Sequence, residues 1–466
     1  MDSTVYFVGN ETVSQNLSRQ LEADSLSLKP LTGLDIDLAM TVLTAAPVAN
    51  LILDLKANSQ LAAMAELLQR IVRGGLKAIN LITIGDDFVP LCLAESIDLL
   101  AATHFEPNVR GEITDIERLR AILNAPSARP VPECRHIESL GVDLKTYTPE
   151  FFRVVDELIR VADRNVTILI VGETGAGKTT LAKLVHVFSQ RRGHPFQNLA
   201  CGALPPDLIE SELFGHVRGA FTGADRNKIG RFQAAGRGTL LLDEIDVLDV
   251  KQQAKLLKVI ESGEYELVGS PDAVMSEARL IVASNVNLQE LADDGRFRLD
   301  LYYRLNVLEF RLPPLRERPN DLIPLAVQFI NELAAEHAID IHHVHRDFFQ
   351  ALHSYQWPGN LRELKNHLRR AVLFSSNGVL TVNELSHKLI QSQFAPVAER
   401  TRSVPSWKLV ERVAQSEKEM LRDALAANGN NRTQTAKALG ISRVGLYKKL
   451  RRLGLIDDAA EELAPA

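Results

Sequence analysis

Residues 167–189, TILIVGETGAGKTTLAKLVHVFS, decide the fold at the centre of this 466-residue chain. Within them, Gly172 to Thr179 fit the pattern G-x-x-x-x-G-K-[ST], a phosphate-binding loop between a buried strand and a helix. The apolar run 167–171 precedes the loop as a strand, and residues 180–189 follow it as a helix. The backbone N–H groups of such a loop and the helix N-terminus attract phosphate. The stretch therefore predicts a nucleotide site on an α/β domain.

Each residue of this loop has an expected role at the nucleotide. Lys178 is expected to reach the β- and γ-phosphates, and Thr179 is expected to place its hydroxyl on Mg²⁺. ATP and Mg²⁺ are therefore the predicted cofactors. The loop residues expected to bind the nucleotide are Gly172, Glu173, Thr174, Gly175, Ala176, Gly177, Lys178 and Thr179.

A second motif, LLLDE at residues 240–244, is an apolar strand that ends in two carboxylates. Asp243 is expected to hold Mg²⁺ through water, and Glu244 to polarise the attacking water. Asn285, just after the apolar run 280–283, is a candidate sensor of the γ-phosphate.

Positive charge for the γ-phosphate has three candidate sources. Arg298 and Arg304 lie in RFRLDLYYR at 296–304, although that segment alone also fits a solvated basic helix face. Arg362, in WPGNLRE at 357–363, is placed to close over the nucleotide from a helical region.

Length and composition bound the class of protein. A chain of this length predicts about three domains, and 45% hydrophobic with 24% charged residues excludes wholesale disorder. The formal charge of −6 excludes a uniformly basic nucleic-acid coat, but not a basic patch. Three widely separated cysteines (Cys92, Cys134 and Cys201) favour a reducing compartment over a disulfide scaffold or zinc site. No signal peptide or membrane-length apolar run is visible, so a cytoplasmic location is expected.

The remaining sequence pattern predicts how the chain is organised. Strands at 5–8, 51–55 and 79–84 alternate with helices at 15–23 and 61–72, which indicates a parallel sheet covered on both faces. Beyond residue 314 strand signals stop, and helical patterns dominate to about residue 391, which predicts a helical subdomain. Two stretches are typical of linkers, APSARPVP at 125–132 and a less sharp one around 392–406.

The hexapeptide GAFTGA at 219–224, preceded by ESELFGH at 210–216, identifies a family. Residues from about 137 to 389 resemble the AAA+ domain of bacterial enhancer-binding proteins, the activators of sigma-54 RNA polymerase. The resemblance includes QAKLL at 253–257 and LPPLRER at 312–318. It implies a hexameric ring in which Arg298 and Arg304 act as arginine fingers on the neighbouring subunit. It also implies a loop that contacts sigma-54, formed by Gly219, Ala220, Phe221, Thr222, Gly223 and Ala224.

Some residues depart from the pattern of that family. Ala200 stands where the family has an Asn that holds the catalytic glutamate in an inactive pose, and Val217, Gln233 and Leu267 replace two Glu and an Arg. These departures leave the nucleotide ligands in place but concern communication between nucleotide and loop. Two alternatives therefore stay open: a DNA-binding regulator with a weak or vestigial ATPase that acts by occupancy, and an AAA+ remodeller of a non-transcriptional client.

The C-terminal end carries a basic stripe with one acid between residues 421 and 455, which is typical of a DNA-binding surface. Residues 433–453 predict a helix-turn-helix and resemble the Fis-type module that ends most enhancer-binding proteins. Leu446 and Leu450, with Val444, are expected to face its core. The expected DNA contacts are Arg443, Gly445, Tyr447, Lys448 and Lys449.

The N-terminal piece resembles a response-regulator receiver whose pocket is incomplete. Asp54 ends the third strand, where a receiver carries its phosphoacceptor, and Thr83 stands near a switch position. However, GNE at 9–11 replaces the acidic pair that binds Mg²⁺, and Glu106 stands where a receiver has Lys. A phosphoryl anion beside Glu106 is electrostatically unfavourable, so Asp54 is expected to be structural. Control is expected from a small molecule, such as a cyclic dinucleotide, or from a partner protein.

The predicted fold is therefore α/β, with a doubly wound receiver-like domain, a P-loop domain with a helical lid, and an all-α end. The predicted domains are a degenerate receiver-like domain (1–125), a linker (126–136), an AAA+ ATPase domain (137–390, lid from about 314), a second linker (391–406) and a helix-turn-helix (407–457). The predicted function is a sigma-54-dependent activator that binds enhancer DNA as dimers and assembles with itself into a ring. It would use ATP to remodel the polymerase closed complex, with no membrane partner.

Overall fold

The computed structural model of the chain describes residues 4–21, 26–31, 35–46, 49–108, 112–125, 129–386, 389, 434–436, 446 and 450. The chain forms two compact units, residues 1–394 and 395–466. In the second unit Leu446 and Leu450 are buried, as predicted, whereas Arg443, Gly445, Tyr447, Lys448 and Lys449 lie outside the described residues. Across the described ranges no helix is long and apolar enough to cross a membrane.

The N-terminal domain is a parallel sheet in the order β2–β1–β3–β4–β6, with a short strand β7 antiparallel on β4. This is the strand order of a doubly wound receiver-like fold. Its elements are β1 (Thr4–Val8), α1 (Glu11–Leu21), β2 (Ser27–Pro30), α2 (Ile36–Ala45), β3 (Ala49–Asp54), α3 (Leu61–Arg70), β4 (Ala78–Ile84), β5 (Phe88–Pro90), α4 (Leu91–Leu99), β6 (Thr103–Phe105), α5 (Ile116–Leu123) and β7 (Arg129–Pro130).

The register of this sheet separates two residues that the sequence placed in one pocket. Asp54 is paired with Ile84, while Thr83 is paired with Leu53. Because successive side chains of a strand point to opposite faces, Thr83 lies on the other face of the sheet from Asp54. Thr83 stands at a switch position in the sequence, but its side chain does not face Asp54, which agrees with the degenerate receiver that the sequence predicts.

The base of the central domain is a second parallel sheet, in the order β11–β14–β17–β10–β18. Its elements are β8 (Arg135–Ser139), β9 (Val142–Thr146), α6 (Pro149–Val161), β10 (Ile168–Val171), α7 (Lys178–Val187), β11 (Phe196–Ala200), α8 (Pro206–Phe214), β12 (Gly215–His216), β13 (Lys228–Ile229), α9 (Arg231–Ala235), β14 (Thr239–Asp243), α10 (Val250–Ser262), β15 (Glu264–Glu266), β16 (Ala273–Met275), β17 (Arg279–Ser284), α11 (Leu288–Asp293), α12 (Leu299–Leu305) and β18 (Leu308–Arg311). The three buried strands β10, β14 and β17 end at one edge, where ligands bind to open α/β sheets.

The lid follows the base and consists of α13 (Pro319–His337), β19 (His343–His345), α14 (Arg346–Ser354), α15 (Asn360–Phe374) and β20 (Val379–Leu380). The lid is mainly helical, as predicted, and it also contains two short strands: β19 pairs with β20 and with β5 of the N-terminal domain. The expected linker at 126–136 needs correction, since β7 and the start of β8 lie within it. Strands this short and polar carry no clear period, so the sequence could not distinguish them from loop.

Candidate functional site

The phosphate-binding loop joins β10 to α7, as its sequence predicts. Gly175 and Gly177 have φ of +77° and +112°, which glycine adopts without strain. A side chain at Gly175 would lie 2.4 Å from the carbonyl oxygen of Gly359. The loop backbone therefore passes close to the lid at Gly175, where only glycine leaves room for the Gly359 carbonyl.

Lys178 lies at the centre of the cradle that this loop forms. Its Nζ donates to the carbonyl oxygens of Gly172 (2.7 Å) and Glu173 (3.2 Å), which curls the loop around the ammonium group. Burial lowers the pKa of Lys178, whereas the nearby carboxylates of Asp243 and Glu244 oppose that shift. A buried cation at the N-terminus of α7 is suited to an anionic ligand.

The side chain of Glu173 does not face the cradle, although the sequence grouped it with the nucleotide ligands. Its carboxylate accepts two hydrogen bonds from the Arg316 guanidinium (2.8 and 2.9 Å) and one from Asn360 Nδ2 (3.1 Å). Arg316 lowers the pKa of this carboxyl through that hydrogen bond. Both partners belong to the lid side, so Glu173 links the phosphate-binding loop to the lid.

Asn360 begins α15 and fixes the lid against the same loop. It is fully buried, it has φ of +49°, and its Oδ1 accepts a hydrogen bond from the backbone N–H of Leu315 (2.7 Å). The backbone N–H of Leu361 donates to the Gly175 carbonyl oxygen (3.0 Å). Sequence reasoning missed Arg316 and Asn360, although both stand inside the motifs LPPLRER and WPGNLREL.

The two carboxylates of β14 reach the cradle from the neighbouring strand. Asp243 and Glu244 line the same cavity, of about 360 Å³, as Lys178 and Thr179. Glu244 has φ of +57°, and its carboxylate lies against Gly202, where an added Cβ would be 1.9 Å from Oε2. The structure therefore brings the predicted catalytic carboxylate, metal ligands and lysine together at one edge of the sheet.

The lid forms the opposite wall of this cavity. Arg362 lines it, as predicted, and the sequence did not single out the neighbouring residues Phe329, Leu361, Lys365, Asn366 and Arg369. Phe329 lies on α13 and the others on α15, where a search for basic residues at i, i+3 and i+7 from Arg362 would have found Lys365 and Arg369.

Asn285 lies beside the cradle and not within it. Its Nδ2 donates to Thr174 Oγ1 (3.3 Å), but the residue lines an adjoining cavity of about 400 Å³ together with Gly172 and Glu173. Its Oδ1 is buried without a hydrogen-bond partner in the structure. A buried acceptor next to the loop leaves room for a donor such as bound water, and the role of Asn285 as sensor stays a prediction.

Arg298 and Arg304 lie away from the cavity of their own chain. Arg298 forms a two-point pair with Asp300 (2.7 and 3.0 Å), and Arg304 Nε is 3.2 Å from Glu261. Neither residue is among those that line the cavity, and the side chain of Arg304 is 62% exposed. Both guanidinium groups are therefore presented at the surface, where a second molecule could meet them.

The GAFTGA segment tops the antiparallel hairpin of β12 and β13. Its ends are held by a hydrogen bond from Gly219 N to Ala224 O (2.9 Å). The Phe221 ring, 39% exposed, lies edge-on against His216 at 4.9 Å, and the His216 ring nitrogen is 2.8 Å from Ser211 Oγ. The expected exposed tip is thus only partly free, because its aromatic ring packs on its own stem.

A neighbouring turn supports this hairpin. Val217 N donates to Val268 O (3.1 Å), and Val268 N donates to Gly215 O (2.9 Å). A side chain at Gly269 would come within 2.6 Å of Ala220. The base of the loop is therefore clamped to the turn between β15 and β16, while Thr222 at its tip is exposed.

The expected receiver pocket in the N-terminal domain is filled by protein groups. Asp54 is 2% exposed, and its carboxylate accepts hydrogen bonds from Asn10 N (3.1 Å), Asn10 Nδ2 (2.7 Å) and Lys56 N (3.0 Å). Gly9 packs on it so closely that an added Cβ would be 2.3 Å from Asp54 Cβ. These contacts support the prediction that Asp54 is structural.

Comparison with known families covers the chain from residue 144 onward. Residues 144–311 match the sigma-54 interaction domain, residues 316–401 the AAA+ ATPase lid domain, and residues 412–453 the bacterial regulatory protein, Fis family. The regulatory protein AtoC of Escherichia coli is 38% identical over 310 residues, which are 66% of this chain and 67% of AtoC. The chain belongs to the sigma-54-dependent transcriptional activators.

Two further relatives support this assignment. The transcriptional regulatory protein FlbD of Caulobacter vibrioides is 40% identical over 68% of this chain and 71% of its own length. The DNA-binding transcriptional regulator NtrC of Rhizobium meliloti is 37% identical over 66% of this chain and 68% of its own. Other relatives are covered over as little as 49% of their length. The P-loop domain is therefore an AAA+ domain with the capacity for ATP hydrolysis, and the C-terminal residues form a Fis-type DNA-binding module.

Proposed function

We propose that this activator hydrolyses ATP in a ring of its own subunits and uses the cycle to remodel the sigma-54 RNA polymerase closed complex at promoters whose enhancers it binds. One observation carries the proposal. A phosphate-binding loop and a carboxylate pair line one cavity of the same domain that carries a GAFTGA hairpin, whose base is hydrogen-bonded to the turn between β15 and β16 and whose Thr222 is exposed.

The residues of the cradle have distinct tasks in this proposal. Lys178 and the loop N–H groups bind the β- and γ-phosphates, and Arg362 approaches from the lid. Glu244 takes a proton from the attacking water, because its carboxylate is at the cavity edge and is not held by an ion pair in the described structure. Thr179 and Asp243 would hold Mg²⁺, which supplies charge neutralisation on the phosphates.

The exposed positions of Arg298 and Arg304 are the reason for proposing a ring. A cation that stabilises charge at the γ-phosphate must reach the nucleotide cavity. Arg298 and Arg304 are not among the residues that line the cavity of their own chain. A neighbouring subunit can present them, which makes hydrolysis dependent on self-association. Enhancer-bound dimers, held through Arg443, Gly445, Tyr447, Lys448 and Lys449, would raise the local concentration of subunits.

The hairpin is the proposed contact with sigma-54. Thr222 is exposed at its tip and touches no phosphate-binding group, so Thr222→Ala should preserve ATPase activity and DNA binding but abolish open-complex formation. The matched control is Thr41→Ala on α2, another exposed Thr far from the cavity. Open complexes and phosphate release are measured on the same preparation.

The outcomes separate the candidate functions. Equal losses of ATPase and activation in Thr222→Ala would show that the loop is only structural, and full activation would remove the sigma-54 contact from it. Lys178→Ala tests the alternative in which the protein acts by occupancy. If that variant still regulated its promoter while binding no ATP, the proposal of ATP-driven remodelling would be wrong.

A further inference from the structure

The outer side of the phosphate-binding loop is hydrogen-bonded to the lid and to the short segment that leads into it. Three successive carbonyl oxygens of the loop accept hydrogen bonds from groups that lie beyond residue 315. The pairs are Thr174 O with Asn360 Nδ2 (3.2 Å), Gly175 O with Leu361 N (3.0 Å) and Ala176 O with Arg318 Nη2 (3.2 Å). Half of the loop is therefore held by residues more than 140 positions away in the chain.

These bonds determine where the backbone N–H groups of the loop point. The two preceding carbonyls, of Gly172 and Glu173, point to Lys178 Nζ on the inner side of the loop. In a trans peptide the N–H group points away from the carbonyl of the residue before it. The first and third of the lid bonds therefore turn the N–H groups of Gly175 and Gly177 away from the lid. Oriented N–H groups are what such a loop uses to bind phosphate.

Glycines allow the loop to approach these partners closely. A Cβ added at Gly172 would lie 3.0 Å from Leu312 Cβ and 3.1 Å from Leu312 O. A Cβ added at Gly175 would lie 2.4 Å from Gly359 O and 3.0 Å from Arg362 Cβ. A side chain at either position would push the loop away from the lid, so the close contact is built into the sequence of the loop.

Arg318 is the buried cation of this contact. It is 3% exposed, and its guanidinium lies 4.8 Å from the centroid of the Phe151 ring of α6. Burial lowers the pKa of Arg318, and the charge of Asp321 opposes that shift. Ala176 O is the one hydrogen-bond acceptor that Arg318 has within the described residues, where its Nε has no partner. A buried cation with so few acceptors costs stability, which favours a role at the loop over a role in folding.

Asn360 joins the loop to both of the structures that hold it. Its Nδ2 donates to Thr174 O, while its Oδ1 accepts a hydrogen bond from Leu315 N in the segment that leads into the lid (2.7 Å). The side chain is fully buried at the start of α15. A movement of α15 relative to the base would therefore pull on the loop carbonyl.

We propose that Arg318 and Asn360 are positioning residues for the phosphate groups of the nucleotide: together with Leu361 N they hold the loop carbonyls outward, so that the loop binds phosphate only while the lid is seated on it. The inference rests on the proposed ATPase function. Neither Arg318 nor Asn360 is among the residues that line the nucleotide cavity, unlike Arg362. Their effect on a ligand must therefore pass through the loop.

The first test replaces Arg318 by a side chain of similar length that cannot donate, Arg318→Met, in the full chain. Arg279→Met is a closely matched control. Arg279 is also 3% exposed, its Nε also lacks a partner, and it also donates to backbone carbonyls, those of Val161 (3.3 Å) and Ala162. Those carbonyls end α6, and Arg279 begins β17, at the edge of the sheet opposite the cavity. Both variants lose a buried donor, but only one loses it at the loop.

Three measurements separate positioning from stability. Calorimetric titration with inorganic pyrophosphate and with ADP should show Kd values about tenfold higher in Arg318→Met, the effect of one lost charge-assisted hydrogen bond. Hydrogen exchange across residues 172–178 of the ligand-free chain should become faster. KM for ATP should rise more than kcat falls. Arg279→Met should lower the free energy of unfolding to a similar extent and change none of these quantities.

A second variant keeps the test decisive if Arg318→Met does not fold. Asn360→Asp retains the acceptor for Leu315 N and a residue type that tolerates positive φ, but it loses the donor to Thr174 O. It should also weaken pyrophosphate binding. Because the new carboxylate would lie close to that of Glu173, Asn360→Asp is repeated together with Glu173→Gln. Recovery of wild-type affinity in the double variant would show that charge repulsion, and not the lost donor, was the cause, which contradicts the proposal.

The contrary outcomes of the first test are equally specific. Equal weakening of pyrophosphate binding in Arg318→Met and Arg279→Met would mean that both arginines act only through stability, and the proposal would be wrong. Unchanged exchange in the loop of Arg318→Met would also overturn it. A wild-type chain that bound ADP without hydrolysing ATP would refute the proposed ATPase function alone, since the binding measurements need no turnover. A wild-type chain that bound neither ADP nor pyrophosphate would refute both.

Discussion

The base of the ATPase domain and the N-terminal domain each have a site at the carboxyl edge of a parallel sheet. Of these two sites, the first is open and the second is filled by side chains. In the base, the loop after β10 turns at Gly175 and Gly177, which have positive φ, and Lys178 lines the cavity that the loop encloses. In the N-terminal domain, the carboxyl end of β3 carries Asp54, and Asn10 occupies the space beside it. Parallel-sheet topology thus offers a binding edge, but the side chains that fill it decide whether a ligand can enter.

The largest effect is expected where the open pocket depends on another subunit. Arg298→Ala and Arg304→Ala should each reduce ATP turnover by about 10³–10⁵-fold, the contribution of an arginine finger in well-studied NTPases. Nucleotide binding should persist, because neither residue lines the cavity of its own chain. Steady-state ATPase and equilibrium ATP binding measure the two effects.

Mixing variants tests the trans arrangement directly. Subunits with Arg304→Ala combined with subunits with Lys178→Ala should regain part of the activity, since some interfaces then receive one intact group from each side. The matched control is Arg311→Ala, another exposed arginine, paired with Glu309. The absence of rescue at every mixing ratio would argue that the arginines act within one chain.

A smaller loss is expected when the chemistry of the open pocket is removed but its shape is kept. Glu244→Gln retains the side-chain volume beside Gly202 and loses the general base, which typically contributes about 10²–10⁴-fold. ATP affinity should stay near that of the wild type. Hydrolysis at the wild-type rate would mean that another group activates the water.

The sequence predicted the open pocket better than the closed one for a physical reason. The phosphate loop, Lys178 and the carboxylate pair lie within short motifs whose geometry is local, so spacing alone specifies them. The side-chain partners of Glu173, Arg316 and Asn360, could not be predicted because they are more than 140 residues away along the chain. No local sequence pattern indicates whether the carboxylate of a phosphate-binding loop points toward the nucleotide or away from it.

The N-terminal domain shows the same limit. Its parallel sheet followed from the alternation of strands and helices, but the face occupied by Thr83 depends on register, and a shift of one residue inverts it. Strands β5 and β19 each have three residues and find their partner across domains. Such pairing leaves no periodic signal, so the docking of the lid was not predictable.

A modest effect on KM for ATP is expected when the ion pair between Glu173 of the phosphate-binding loop and Arg316 is removed. Glu173→Gln keeps an acceptor for Asn360 but loses the ion pair with Arg316, so KM for ATP should rise by about twofold to fivefold, with kcat changing less. Because Arg316 lowers the pKa of Glu173, the pair is intact at neutral pH and is lost only as acid protonates the carboxylate below its ordinary range.

Glu317→Gln is the matched control for Glu173→Gln, because the Glu317 carboxylate lies 3.8 Å from the Arg316 guanidinium and is 60% exposed. It should leave KM unchanged. If Glu173→Gln and Glu317→Gln were indistinguishable, the loop would owe its position to its backbone contacts alone.

The smallest effect on function is expected from a substitution of Asp54 in the closed pocket of the N-terminal domain. This variant therefore gives the clearest contrast with the open pocket of the base. Asp54→Ala removes the acceptor for Asn10 N, Asn10 Nδ2 and Lys56 N in a site that is almost fully buried. Unsatisfied buried donors cost about 1–3 kcal/mol, so denaturant unfolding should show a loss of stability. Asp54→Asn, which keeps one acceptor oxygen, should recover part of that loss.

Activation and ADP release should nevertheless remain near wild type in Asp54→Ala, because Asp54 faces away from the lid and from α4. Incubation with acetyl phosphate should add no phosphoryl group to the wild-type chain, since Asn10 already occupies the carboxylate oxygen that would accept it. Intact-mass measurement decides this point. A phosphoryl adduct on Asp54 would show that Asn10 can move away from the carboxylate. The N-terminal pocket would then be able to accept a ligand, as the pocket of the base is.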